Sequence, residues 1–277
     1  MEYKYFLKVL TDENEFVLIR ELSKEKYMKF DQASTLLSKL NTKLYFFRMV
    51  DYDFMELKDF EREYNNQINI NPLSVDIDEL LFEFFKLLHN YLSSINLFLN
   101  QYSANVKRDY DDGLFGEFEE LRNNLHYEHL SYRIIYELRN EVHHSNIPSV
   151  HFKAQRNYYG KLEAKIYIQK DFLKIGKLKN DEEFSQLDDL IDIYGHIENM
   201  NSYLMVLAKQ ILKYELDIHM DYYDFLKELV DEVDIGGKVC VFRFKEITPI
   251  GFEPIITFLN QKLLILIDKI KEYKDEL

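Results

Sequence analysis

Only one cysteine, Cys240, occurs in 277 residues, and tryptophan is missing altogether. A single thiol can neither close an internal disulfide nor build a cysteine-based zinc site, which fits a reducing, cytoplasmic setting. Glycine (8) and proline (4) are scarce. That scarcity excludes a turn-rich β-sandwich and points to long helices with few breaks. No apolar run approaches the length of a membrane span. The opening Met1-Glu2-Tyr3-Lys4-Tyr5-Phe6 lacks the cationic and apolar regions of a signal peptide. The closing Lys274-Asp275-Glu276-Leu277 spells a retention signal that is read only in the endoplasmic-reticulum lumen, so it is expected to be a helix tail. Positive charge is also in deficit: 35 Lys and Arg face 49 Asp and Glu, a net −14. A negative field of that size argues against a membrane or DNA partner and against a general nucleic-acid coat.

What remains is an ordinary globular balance, 47% hydrophobic and 30% charged, long enough to bury a substantial core. The charge is uneven. Residues 151–180 carry eight Lys and Arg against Glu163 and Asp171, whereas residues 181–234 carry fifteen acidic residues against three lysines. Among the basic residues, Lys153, Arg156, Lys161 and Lys165 are candidates for guiding an RNA backbone; otherwise they form a solvated strand-and-loop surface.

Tyr3, Tyr5, Leu7 and Val9 alternate, and Phe16–Ile19 follows a polar turn, predicting a hairpin. Residues 31–66 read as helix with a break near Asp51 and Asp53, and Asn65–Pro72 as a linker. From Asp76 to about Gln101 apolar residues recur at three- and four-residue spacing, the mark of a long amphipathic helix. A second helix is expected from about Leu114 to Ser145. The basic decoy Arg122-Asn123-Asn124-Leu125-His126 on it is expected on a solvated surface. A second hairpin is expected across 150–168, a third helix over 184–216, and further helices near 219–232 and 254–276. Val239–Phe244 reads as one short strand. The expected fold is mainly α: a helical bundle with one or two small β-hairpins. It divides into 1–70, 71–216 and 217–277, with the last segment helical and packed on the same core.

The chemically richest run is Arg139-Asn140-Glu141-Val142-His143-His144, closed by Pro148. On a helix Arg139 shares a face with His143, and Asn140 with His144. An imidazole moves protons near neutral pH, and a guanidinium grips phosphate with a planar fork. Together they permit metal-free cleavage of RNA by its own 2′-hydroxyl. The same cluster could instead cap the helix, its cations meeting free carbonyls.

At these residues the chain resembles the HEPN superfamily, through the Arg-Asn-x-x-x-His pattern at Arg139, Asn140 and His144 followed closely by a proline. The resemblance covers roughly residues 76–215. It implies a bundle that dimerises around the motif helices, with His144 as general acid or base, Arg139 on the scissile phosphate and Asn140 orienting them. Asn90 on the facing helix would support the site, and His143 competes with His144. The implied activity is that of a metal-independent endoribonuclease acting as a homodimer in a toxin or phage-defence setting, held by an antitoxin or regulatory protein. The alternative is a non-catalytic interaction or nucleotide-binding scaffold on the same bundle. No cofactor and no metal is expected. The Asp188, Asp192, His196 spacing reads as a solvated acidic helix face, His143, His144 and His151 lack a fourth zinc ligand, and Cys240 reads as a small buried residue.

Overall fold

The computed structural model describes residues 3–144, 148–174, 176–233, 237–245 and 255–259. Among them are seven strands: β1 (Tyr3–Leu10), β2 (Phe16–Leu22), β3 (Val150–Arg156), β4 (Leu162–Gln169), β5 (Leu190–Asp192), β6 (Lys238–Lys245) and β7 (Ile255–Phe258). Seven α-helices accompany them: α1 (Lys24–Ile70), α2 (Ile77–Asp109), α3 (Asp112–Glu128), α4 (Leu130–His143), α5 (Lys170–Leu173), α6 (Glu182–Ser185) and α7 (Ile193–Asp231). The protein is mainly α, and no helix among the described residues is long and apolar enough to cross a membrane.

The chain forms two compact units, one from residues 1–42 and 212–277, the other from 43–211. In the first unit the strands form an antiparallel sheet in the order β2-β1-β6-β7. Tyr5, Leu7 and Val9 fill its buried face, as the alternation predicted. Cys240 on β6 is fully buried, its thiol against the Lys8 carbonyl, and burial pushes it up to about 11. The segment expected to be helical from 254 begins instead as strand β7; residues 260–277 lie outside the described residues. Pairing with β6 satisfies the backbone of these four residues.

In the second unit α2 is the central helix. Leu80, Phe84, Leu88, Tyr91, Leu92, Ile95 and Phe98 line its buried side, and Asp76 caps its start by accepting from the Asp78 and Glu79 amides. No break occurs in α1 near Asp53. The Asp53 carboxylate accepts the Ser94 hydroxyl of α2, and partial burial raises its pKa. The expected linker is also helical through Ile70, for a specific reason. The three-stranded sheet β3-β4-β5 leaves residues 162–164 of β4 without a strand on one side, because β5 reaches only Tyr167–Gln169. Two asparagines one helical turn apart on α1 fill the gap. Asn69 donates to the Leu162 carbonyl (2.6 Å) and accepts its amide (2.8 Å). Asn65 does the same for Ala164, at 3.2 and 2.8 Å. A side-chain carboxamide carries the same donor and acceptor as a peptide, so each asparagine stands in for a residue of a missing strand.

The third expected helix starts later than read. Phe184 lies on the short α6, and Leu190–Asp192 pair with β4 as β5 before α7 begins at Ile193. The Asp188, Asp192, His196 helical face therefore does not exist. Asp192 instead pairs with Lys165 (2.6 Å), and no group suited to hold a metal ion occurs among the described residues.

Replacing Asn65 and Asn69 by alanine removes four edge hydrogen bonds. Chemical denaturation should report a loss of about 1–2 kcal/mol per position, and light scattering should show more association through the bared edge. Unchanged stability and unchanged size would show that the asparagines do not hold this edge.

Candidate functional site

The helix expected over 114–145 is two helices. His129 sits between them with extended backbone, φ −121° and ψ 112°. No glycine or proline causes this. Arg133 does: its guanidinium donates to the Tyr127 carbonyl (2.6 Å) and the His126 carbonyl (3.4 Å) in the last turn of α3. The same guanidinium pairs with Asp181 (2.7 Å) and Glu183 (2.6 Å). The His129 ring lies flat on Tyr203, 4.3 Å between centroids.

Because the chain turns there, α4 lies against α3. On one straight helix Arg122 and Arg139 would be about 25 Å apart along the axis. Here both line one cavity of about 300 Å³, together with His126, Tyr132, Tyr136 and Asn100. Tyr132, Tyr136 and Arg139 follow at four- and three-residue spacing on one face of α4. The Arg139 guanidinium lies over the Tyr136 ring at 4.0 Å. Arg122 donates to Ser103 (3.0 Å) and pairs with Glu119 (2.6 Å). Tyr132 is 1% exposed, and burial raises its phenol to about 12. The run expected to be a solvated decoy is therefore corrected in part. Asn123 and Asn124 are exposed, but Arg122 and His126 are half-buried in the same cavity as Arg139.

The cluster 139–144 is split by this geometry. Arg139 is only 7% exposed. It donates to the Asn140 side-chain oxygen (2.8 Å), and Asn140 donates on to Glu137 (3.3 Å). Glu137 in turn packs against Gly176, where a Cβ would stand 2.9 Å from its carboxylate oxygen and where φ is +58°. His144 is the exposed residue ending α4; its amide bonds to the Asn140 and Glu141 carbonyls, and its side chain does not line the cavity. His143 is also exposed, its ring 5.9 Å from that of His89. Its pKa is lowered, first by desolvation and then by the charges of His89 and Arg139. Asn90 is exposed, and it is its neighbour His89 whose ring meets the motif helix. Ser145–Ile147 lie outside the described residues.

The basic candidates are gathered elsewhere. Lys153 lies over the Tyr167 ring, Arg156 donates to the Gly160 carbonyl and Lys165 is paired with Asp192. Lys161 and Lys165 line a different groove of mixed charge, with Lys58, Arg62, Asp59 and Glu61. None of the four lines the Arg139 cavity. Sequence reasoning passed over Arg122, His126, Tyr132 and Tyr136. The signal available was the repetition of Arg-Asn with a nearby histidine at 122–126 and again at 139–144.

A second polar cluster supports α4 from behind. Asn199 donates to the Ser131 hydroxyl (3.1 Å), which is also hydrogen-bonded to the His196 Nδ1 atom (2.9 Å). Burial lowers the His196 pKa, against a weaker upward pull from Asp192.

Compared with known proteins, the chain matches no family model, no curated protein and no solved structure.

Both His196 and His143 hold pKa values below the usual 6.5, so the unfolded chain binds protons more readily than the folded one. Their contribution to stability is complete above pH 6.5 and is lost as the pH falls through the lowered folded values. Denaturation midpoints should fall below that pH, and His196→Gln should flatten part of the dependence. Histidine NMR titration with His196 at or above 6.5 would contradict the burial argument.

Proposed function

We propose that the second unit is a HEPN-like module that binds the phosphate of a nucleotide or of RNA in the Arg139 cavity. One observation carries this reading. Arg139 is a buried cation whose partners among the described residues are neutral, the Asn140 carboxamide and the Tyr136 ring. Buried charges are ordinarily paired, and an unpaired one facing a cavity is completed by an anion. Arg122 adds a second guanidinium, and the tyrosine walls suit a nucleobase. Asn140 and Glu137 would orient the guanidinium rather than touch the ligand. The separation of the His144 side chain from the Arg139 cavity favours binding over catalysis by those two groups within one chain.

One observation favours a second reading. His126 lines the same cavity as both arginines, so an imidazole is at hand for metal-independent cleavage of RNA. In that reading His126 moves the proton and the two guanidinium groups steady the phosphate. His144, exposed at the helix tip, would take part only across a homodimer.

The tyrosines give an intrinsic fluorescence signal with no tryptophan background. Titration with inorganic phosphate, nucleoside mono- and diphosphates and short RNA should reveal saturable binding. Arg139→Gln should weaken it about ten- to a hundredfold, the loss of one charge-assisted hydrogen-bonded contact. Equal affinity of wild type and Arg139→Gln, or no binding by wild type, overturns the proposal. Incubation with RNA in EDTA separates the two readings. Cleavage abolished by His126→Ala establishes the enzyme, whereas binding without cleavage establishes the scaffold.

A further inference from the structure

The hairpin joining β3 to β4 presents two tyrosines to water, Tyr158 at 97% and Tyr159 at 85% exposure. Exposed aromatics in a loose loop would need no comment, but this loop is tightly built. The Asn157 side-chain oxygen accepts both the Tyr159 amide (3.0 Å) and the Lys161 amide (3.1 Å). The Asn157 amide bonds to the Lys161 carbonyl and the Gly160 amide to the Asn157 carbonyl, at 2.8 and 2.9 Å. Gly160 takes φ +77°, and Arg156 ties its guanidinium to the Gly160 carbonyl at 2.8 Å. A turn held at this many points projects the two rings at little further entropic cost on binding.

Charge gathers at the same place. Arg156 and Lys161 are exposed and flank the turn, and Lys153 is exposed three residues further down β3. Glu163 is the only acidic residue between Val150 and Gln169, and with Asp59 and Glu61 it lines the groove that Lys161 borders. Lys153 stands directly opposite Lys165 in the ladder, a like-charge pairing that weakens a sheet. Lys165 is paired with Asp192 and also feels the Glu163 carboxylate, while Lys153 lies over the Tyr167 ring.

We infer that this hairpin tip docks single-stranded nucleic acid, with Tyr158 and Tyr159 as stacking platforms and Lys153, Arg156 and Lys161 along the phosphates. Stacking on exposed aromatics next to a cationic track is how sequence-tolerant single-strand binding works. The two rings lie 5.4 Å apart at 85° to each other, which suits splayed bases of a flexible strand and not the parallel stack of a duplex. The surface shares no residue with the Arg139 cavity, and it stands whether or not that cavity takes a phosphate.

Fluorescence anisotropy of the full chain with labelled RNA and DNA single strands of about 12 nucleotides tests this. Binding to either strand should weaken as salt rises. Changing Tyr158 and Tyr159 together to Ala should weaken it about tenfold or more, and changing both to Phe should retain it. Lys153→Ala with Lys161→Ala should lower both the affinity and the salt dependence. Nucleotide binding at the Arg139 cavity, read by the same titration used there, should be unaffected by any of these changes. The inference is overturned if wild type binds neither strand, if the Tyr-to-Ala pair binds as wild type, if duplex binds as well as single strands, or if the tyrosines prove necessary only for anionic vesicles.

Discussion

The site depends on Arg133. One guanidinium closes the open carbonyl end of α3, holds His129 out of helical geometry, and pairs with Asp181 and Glu183 from a later segment. It therefore acts as a splice between two helices that the local sequence would happily run as one. On a single rod Arg122, His126, Tyr136 and Arg139 would be spread along the axis; with the chain turned at His129 they wall one cavity. The chemistry proposed for this protein thus rests on an interaction outside the cavity, between a side chain and the ends of backbone dipoles.

A comparable economy governs the small sheet of the second unit. β4 is paired on one side along its whole length by β3 but on the other side by only three residues of β5. The remaining edge is finished by carboxamides from a helix. This ties the rotational phase of α1 to the register of β4, since only residues four apart on a helix can meet alternate residues of a strand on one side. The tip of the same hairpin carries its exposed tyrosines just beyond the residues that these carboxamides hold.

Elements whose signal is local were legible in the sequence. The β1–β2 and β3–β4 hairpins showed in two-residue alternation, α2 in its apolar stripe, β6 in a short β-branched run, and Cys240 as a small buried group. Elements decided by distant partners were not. Nothing near His129 announces a break, because its cause is the tertiary reach of Arg133. Leu190 and Ile191 fit the apolar pattern of a helix and still pair as β5, because β4 offers them an edge. Asp53 looked like a helix breaker until Ser94 supplied its partner. The same holds for the site: Arg139 was singled out from its neighbours in sequence, but the groups it meets, Arg122 and Tyr136 on the cavity wall, follow from the fold. Spacing alone placed His144 with Asn140 and not with Arg139, and the geometry keeps His144 on the outside.

The lone thiol offers a last consequence. Cys240 lies on β6, between β1 and β7, with its sulfur against a backbone carbonyl and its ionisation suppressed by burial. A reagent that reacts only with thiolate can reach it only when that ladder parts. Since no other cysteine competes, the speed of its labelling under native conditions is a direct clock for the opening of the first unit's sheet, written into the molecule without any engineering.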